Sequence, residues 1–391
     1  MSDEPTATLV APAATPAMLQ LRFTASGSEY FRIWVVNLLL IVVTLGFYLP
    51  FAKARRLRYF YANTLVDGQP LAFHGDPWKM FRGYLVMLLL FGVYVGASYL
   101  SHWVAFGALL LLALLWPALW RSSLMFRMAN TSWRGLRFAF EGTLSGAYGA
   151  MLPVFVPGLI TVAASAHALT GIDPQDAEAM QAANMATLPA VGLSLLLTVC
   201  LAPLALWFIK SYQHGGYRWS SQMAVFDAPR SVFYKLAGKL LGVGLGLVVV
   251  LGLLVGLIVF LLKDNSHAMQ LAAAAAGGLA YLVLIVVMGA LMAAWMQNAS
   301  WNPTRSQELH FDSRLAALGL SVLSLKNILL VIVTLGLYRP FAVVNVYRMR
   351  LEAVTVTCTG NINEWLATAT PTQVGASGEM SGDFFGIDVG L

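Results

Sequence analysis

Several polar side chains of this chain lie inside or beside long apolar stretches, where chemistry must find them a partner or a role. Asn37 and Asn327 hold equivalent places in two similar runs, NLLLIVVTLGFYLPFA at 37–52 and NILLVIVTLGLYRPFA at 327–342, with Lys326 beside the second. Thr44 and Thr334 come next, where each run reaches Leu-Gly. A polar group in hydrocarbon seeks a partner, and an ionisable one is by default a candidate for function. The asparagines can tie helix to helix by hydrogen bonds, with Lys326 extending its ammonium to the interface, which is the plainer reading. Alternatively the five residues line a solute path, with backbone carbonyls freed at a helix break acting as ligands.

The densest charge cluster is Lys53, Arg55, Arg56 and Arg58, interleaved with Tyr59, Phe60 and Tyr61. It can hold an anionic lipid head group, each cation contributing about 1 kcal/mol near an acidic leaflet. Retention of basic residues on one side of a bilayer explains it as well, the aromatic residues then serving as interfacial anchors along with Trp78, Trp116, Trp120, Trp207 and Trp295. Catalytic patterns are missing: there is no H-E-x-x-H or G-x-S-x-G, and Ser101-His102 has no third member. The six histidines are scattered without metal-ligand spacing, and the glycines of 242–256 do not form a G-x-G-x-x-G. An enzyme is therefore the least supported class, and no cofactor or metal is expected.

The elements that must position these residues are membrane helices. Hydrophobic residues make up 59% of the 391-residue chain, charged residues 11%, and the mean hydropathy is +0.72, too few charges to cover a soluble surface. Runs at 83–100, 103–120, 144–166, 186–209, 240–262 and 271–296 contain no Lys, Arg, Asp or Glu. Each approaches or exceeds the roughly 18–20 apolar residues needed to cross hydrocarbon as a helix. Small-xxx-small spacings at Gly92/Gly96, Gly142/Gly146, Gly242/Gly246 and Gly252/Gly256 suggest close helix packing. Residues 1–20 lack the features of a signal peptide and read as a disordered tail, as do residues 367–391. The two cysteines, Cys200 and Cys358, are not expected to pair.

Charge sets an expected orientation. Connections at 53–82, 121–140, 210–239 and 297–314 carry 17 of the 24 Lys and Arg, whereas those at 101–102, 167–185 and 263–270 carry one, Lys263. Basic short loops stay cytoplasmic, so the six runs become three hairpins that leave and re-enter the cytoplasm. The basic excess then needs no nucleic acid. The two terminal copies either cross once or turn at Thr44-Leu-Gly46 and Thr334-Leu-Gly336 and return to their own side, with Pro50 and Pro340 breaking the helix just beyond each turn. The returning arrangement is preferred because it keeps 23 of the 24 basic residues on one side, both termini included.

A second repeat lies between the helices. ANTLVDGQPLAFHG at 62–75 and ANTSWRGLRFAFEG at 129–142 agree at seven of fourteen positions. Their Asp67-Gly68 and Arg134-Gly135 have the chemistry of two-residue hairpins, and alternating residues come after each. Echoes at 20–27, 217–228 and 308–313 read as further short cytoplasmic β segments, together able to form one small sheet against the bilayer. The expected fold is an all-α polytopic membrane protein: six transmembrane helices in three hairpins, two repeat-related terminal membrane elements, re-entrant or crossing and giving up to eight, and short cytoplasmic β-hairpin segments.

The opening from Phe23 to Arg32, the TLGxYxPFA motif, K-x-R-R-L-R-Y from Lys53 and the ANT unit with its F-x-G together resemble the YjgN-like family of bacterial inner-membrane proteins, a domain of unknown function. The resemblance covers roughly 20–360 and implies an inner-membrane, single multipass domain at 21–366; it brings no activity and no site residues. The last copy departs from the pattern, with Val343 for Lys53 and Asn345 for Arg55, while Arg348 keeps the place of Arg58. The expected partners are the bilayer and anionic lipid head groups. By architectural analogy the expected function is a transporter or channel for a small solute or lipid, and the competing class is a scaffold whose β segments bind a partner.

Overall fold

The computed structural model describes residues 17–173, 175–263 and 265–360. Five successive units each run strand, helix, helix, strand. The first is β1 (Ala17–Phe23), α1 (Gly27–Val43), α2 (Leu49–Ala62) and β2 (Thr64–Val66). The second is β3 (Gln69–Phe73), α3 (Pro77–Leu100), α4 (His102–Ala129) and β4 (Thr131–Trp133), and the third β5 (Leu136–Phe140), α5 (Leu144–Ala168), α6 (Ala177–Gly215) and β6 (Tyr217–Trp219). In the fourth, β7 (Gln222–Met223) and β8 (Val225–Phe226) precede α7 (Arg230–Leu261), α8 (Ser266–Trp301) and β9 (Thr304–Arg305). The fifth comprises β10 (Leu309–Ser313), α9 (Ala317–Val333), α10 (Arg339–Glu352) and β11 (Val354–Cys358).

The strands form one antiparallel sheet in the order β7-β6-β5-β4-β3-β2-β1-β11-β10-β9-β8. Its two ends, β7 and β8, are separated in the chain by Ala224 alone, so they are halves of one strand and the sheet closes into a ring. The Ala224 N–H continues the ladder to the Tyr217 carbonyl at 2.8 Å. The stagger is the same in four units: a long strand pairs over its first residues with the preceding unit and over its last with the returning strand of its own, whereas β10 pairs with β11 along its whole length and meets β9 at His310. In β5, Leu136 and Arg137 face β4, while Phe138 to Phe140 face β6. The termini obey the same rule, Ala17–Gln20 pairing with Cys358–Thr355 and Leu21–Phe23 with Val66–Thr64.

Three of the expectations change here. The β segments go beyond hairpins and a small sheet to one closed sheet of eleven strands, because each lone hairpin is too short to hold itself and the five units together satisfy every neighbour. The N-terminal boundary moves, since 17–20 belong to β1; the rest of that segment and residues 361–391 lie outside the described residues. Glycine packing is also narrower than the spacing suggests. A β-carbon at Gly92, Gly96, Gly242, Gly246, Gly252 or Gly256 would meet nothing within 4 Å, whereas at Gly142 and Gly146 it would strike Tyr212. The open positions lie on helix faces without a neighbour in this chain.

Local chemistry explains the elements. The hairpins at Asp67-Gly68 and Arg134-Gly135 hold φ near 50° and 49° at the first residue and 72° and 81° at the glycine, as a mirror-image turn requires. A third turn uses Ser220, at φ 53°. Ser26, Asp76, Thr143 and Asp176 cap the N-termini of α1, α3, α5 and α6. Helices α3 to α8 are each long and apolar enough to cross a membrane, and most of their large apolar side chains are exposed. The chain is thus a multi-pass membrane protein. All ten helices start or end at the ring, so α1–α2 and α9–α10 also leave it and return to it.

One contact recurs at every junction. The carbonyl two residues beyond each long strand accepts a hydrogen bond from the returning helix of the preceding unit: Arg58 Nη2 to Gly75 at 2.9 Å, Arg121 Nε to Gly142 at 2.7 Å, Trp207 Nε1 to Ala228 at 2.7 Å and Asn298 Nδ2 to Leu315 at 3.0 Å. The fifth, Arg348 Nη2 to Ala25 at 2.7 Å, joins the last unit to the first. These clamps satisfy a loop carbonyl and set the spacing between units. Arg348→Ala, which opens the closing clamp, is expected to destabilise the protein by about 1.5–3 kcal/mol, the range for hydrogen bonds from charged donors. Exposed Arg32→Ala serves as control, with a change within about 0.5 kcal/mol; thermal melting in detergent micelles checks both.

Candidate functional site

Alternation along the strands turns Leu19, Trp133, Trp219, Val356 and Cys358 into the ring, with Leu71, Phe138, Leu309 and Phe311 packed around them. The Trp133 and Trp219 rings lie 5.0 Å apart. All but Cys358 of these side chains, with Trp301, wall an axial chamber of about 260 Å³, bounded also by Arg127, Gln213, Gln297 and Arg350. The polar residues come from the last turns of the returning helices, which converge beneath the sheet. Arg127, Gln213 and Arg350 each stand four residues before a returning strand, and Gln297 and Lys210 seven before.

The polar groups are organised. Arg350 donates from Nε to Gln297 Oε1 at 2.9 Å, and Gln297 Nε2 donates back to the Arg350 carbonyl at 2.8 Å. Lys210, 1% exposed, lies directly behind Gln213, its Nζ 3.5 Å from Oε1. Arg350 and Arg127 are both near enough to act on it electrostatically. Burial pushes the Tyr217 phenol up, against the cation of Arg127 and a hydrogen bond with Gln213. Buried His214 shares a 2.9 Å hydrogen bond between Nδ1 and Thr304 Oγ1 and meets Trp301 edge to face at 4.9 Å. Arg127 and Arg350 with two amides therefore face an aromatic wall, Lys210 standing behind Gln213 and Arg218 paired with Glu141, an arrangement able to bind an anion carrying an apolar body.

The polar residues singled out from sequence lie elsewhere. Asn37 is buried and donates to the Ala52 carbonyl at 3.5 Å, while Arg55 Nη1 reaches its Oδ1 at 3.4 Å. Asn327 repeats the first contact, to the Ala342 carbonyl at 3.4 Å. These are links between paired helices, the plainer of the two readings. Thr44 Oγ1 donates to the Leu40 carbonyl and accepts from the Tyr48 N–H at 3.0 Å, and Thr334 does the same with Leu330 and Tyr338. Lys326 is exposed. Nor do the members of the basic cluster converge: Lys53 is half-buried, Arg55 faces Asn37, Arg56 lies over the Phe60 ring and Arg58 holds Gly75. Phe60, expected at the interface, is 2% exposed and packs against Phe23, Tyr30 and Tyr347, because α2 runs beneath the ring.

The chamber residues escaped sequence reading because Arg127, Lys210, Gln213, Gln297 and Arg350 are far apart in the chain and counted only as loop charge or helix ends. Alignment of the five units at the returning strand would have found their common offsets.

A family described as "Bacterial protein of unknown function (DUF898)" matches residues 18–384. The chain belongs to that family. It is 34% identical over 145 residues to an inner membrane protein YjgN of Salmonella typhimurium, covering 35% of each chain. With the protein of the same name from Escherichia coli O157:H7 it shares 32% over 143 residues, 36% of this chain and 35% of that one. The match thus spans about a third of the length of these curated relatives. No solved structure matches.

The departure at Asn345 has a measurable result. It removes the guanidinium that Arg55 supplies to Asn37, and Asn327 Oδ1 is buried without a hydrogen-bond partner among the described residues. Asn345→Arg is expected to supply that donor and to stabilise the protein by about 1 kcal/mol, seen as a raised melting temperature in micelles.

Proposed function

We propose that this chain is an inner-membrane protein whose ring, on the cytoplasmic side, holds a compact amphiphilic anion in its axial chamber. The observation that carries the reading is the convergence of Arg127 and Arg350 with Gln213 and Gln297 beneath an aromatic wall, with the Lys210 cation just behind Gln213. The acidic group of the ligand faces the cations, and its apolar body lies between Trp133, Trp219 and Phe311. A chamber of about 260 Å³ falls below the roughly 300–1,000 Å³ of drug-sized sites, so the ligand is smaller than those. Cytoplasmic placement is supported by the basic residues gathered at the ring, and the inner membrane by the relatives.

The role is binding, as the station of a protein that carries or senses a small solute or lipid product, without chemical transformation. The scaffold reading is less favoured for a structural reason. Strand addition needs an open sheet edge, and the ring closes through Ala224 and through β1 with β11.

The full chain in lipid nanodiscs is titrated with 4-phenylbutyrate, with its neutral amide as control. Saturable quenching of tryptophan fluorescence by the acid, at least about tenfold tighter than by the amide, is expected, corresponding to the loss of one charge-assisted contact. Arg350→Met, which removes one of the cations lining the chamber, should weaken that preference. Equal binding of acid and amide would overturn the proposal.

A further inference from the structure

We infer that the two terminal hairpins end inside the bilayer and that acyl chains of the far leaflet fill the space beyond their tips. Three observations carry this. The first is reach. A β-carbon on Gly46, at the tip of the α1–α2 hairpin, would stand 3.7 Å from the Tyr84 hydroxyl of α3. Sixteen residues of α3 lie between Tyr84 and its end at Leu100, a further run of about 24 Å at 1.5 Å per residue. The adjoining hairpin thus continues well past the tip.

The second is the chemistry of the turn. Every N–H from Thr44 to Leu49 has a partner within the hairpin: Leu40, Val42, Ile41 and Thr44 carbonyls, the Thr44 hydroxyl for Tyr48, and the Gly46 carbonyl. The turn from Thr334 to Arg339 repeats the set, with the Thr334 hydroxyl serving Tyr338. Both reach it through the same left-handed pair, Leu45 and Gly46 at φ 50° and 94°, Leu335 and Gly336 at 51° and 94°. A turn in water has no need of this, whereas one in hydrocarbon must satisfy its own backbone.

The third is surface. Leu45 is 90% exposed and Leu335 93%; no charged residue occurs from 33 to 52, and in the fifth unit none from 327 until exposed Arg339 at the start of α10. The far turns of the long hairpins are of the other kind, carrying Ser101 and His102, Asp173 and Asp176, or Lys263 and Asn265. Closure of the ring makes the first and fifth units neighbours, with α1 against α10. Their two short hairpins therefore form a single lateral recess, flanked by α3 on one side and α8 on the other, each lipid-grade in composition. Acyl chains are the occupant that matches those walls and those tips.

Spin labels placed at Leu45→Cys and Leu335→Cys, in the full chain with Cys200→Ser and Cys358→Ala and reconstituted in vesicles, should be relaxed by oxygen and shielded from a water-soluble nickel complex. A label at Lys263→Cys should show the reverse. Nickel access at Leu45 or Leu335 equal to that at Lys263 would overturn the inference. Thr44→Val should lower the melting temperature in vesicles by several degrees and Thr44→Ser should not. An unchanged value for the valine variant would mean that water replaces the hydroxyl, which also overturns it.

Discussion

Hydrogen bonding between β1 and β11 joins the two ends of the chain, and the rest of the architecture depends on that closure. Most of the long strands divide their backbone groups between two neighbours, while β10 pairs along its whole length with β11. Such a scheme is complete only when the last unit meets the first. The Arg348 clamp on Ala25 and the interrupted strand at Ala224 are the covalent chain's two answers to that demand. Once the ring is closed, five helix pairs must leave it on the same side, and their returning ends must converge under its axis.

Convergence explains why polar residues collect there. The helix segments nearest the ring lie beneath a sheet, and there Lys210 is buried and Arg350 half-buried at a cost that amide partners reduce. Deeper in the bundle the solution differs. Asn37 and Asn327 bond a neighbouring helix carbonyl, and the threonine hydroxyls at the tips serve the one N–H that the backbone leaves unmet.

Much of the fold was legible in the residues. Asp67-Gly68 and Arg134-Gly135 disclose hairpins because few other pairs tolerate left-handed backbone, and uncharged runs of helical length disclose spans because lipid excludes charge. The third turn was harder to see, since Ser220 carries no glycine beside it. The clamps were invisible, because an arginine, an arginine, a tryptophan, an asparagine and an arginine do not resemble one another in sequence. They act alike only as donors placed against the same carbonyl. Arg58 therefore reads only as one cation of a basic cluster, and Trp207 as an interfacial anchor.

Composition and periodicity by themselves determined the solvent of each segment, the number of apolar helices and the existence of a duplicated terminal element, for these arise from local transfer free energies and turn preferences. Tertiary structure alone decided that the β segments form a ring, that its first and last strands meet, and that four scattered polar residues share a chamber. Those outcomes depend on pairing between residues as far apart as Ala17 and Cys358, and no local preference records which distant backbone will supply a missing hydrogen bond.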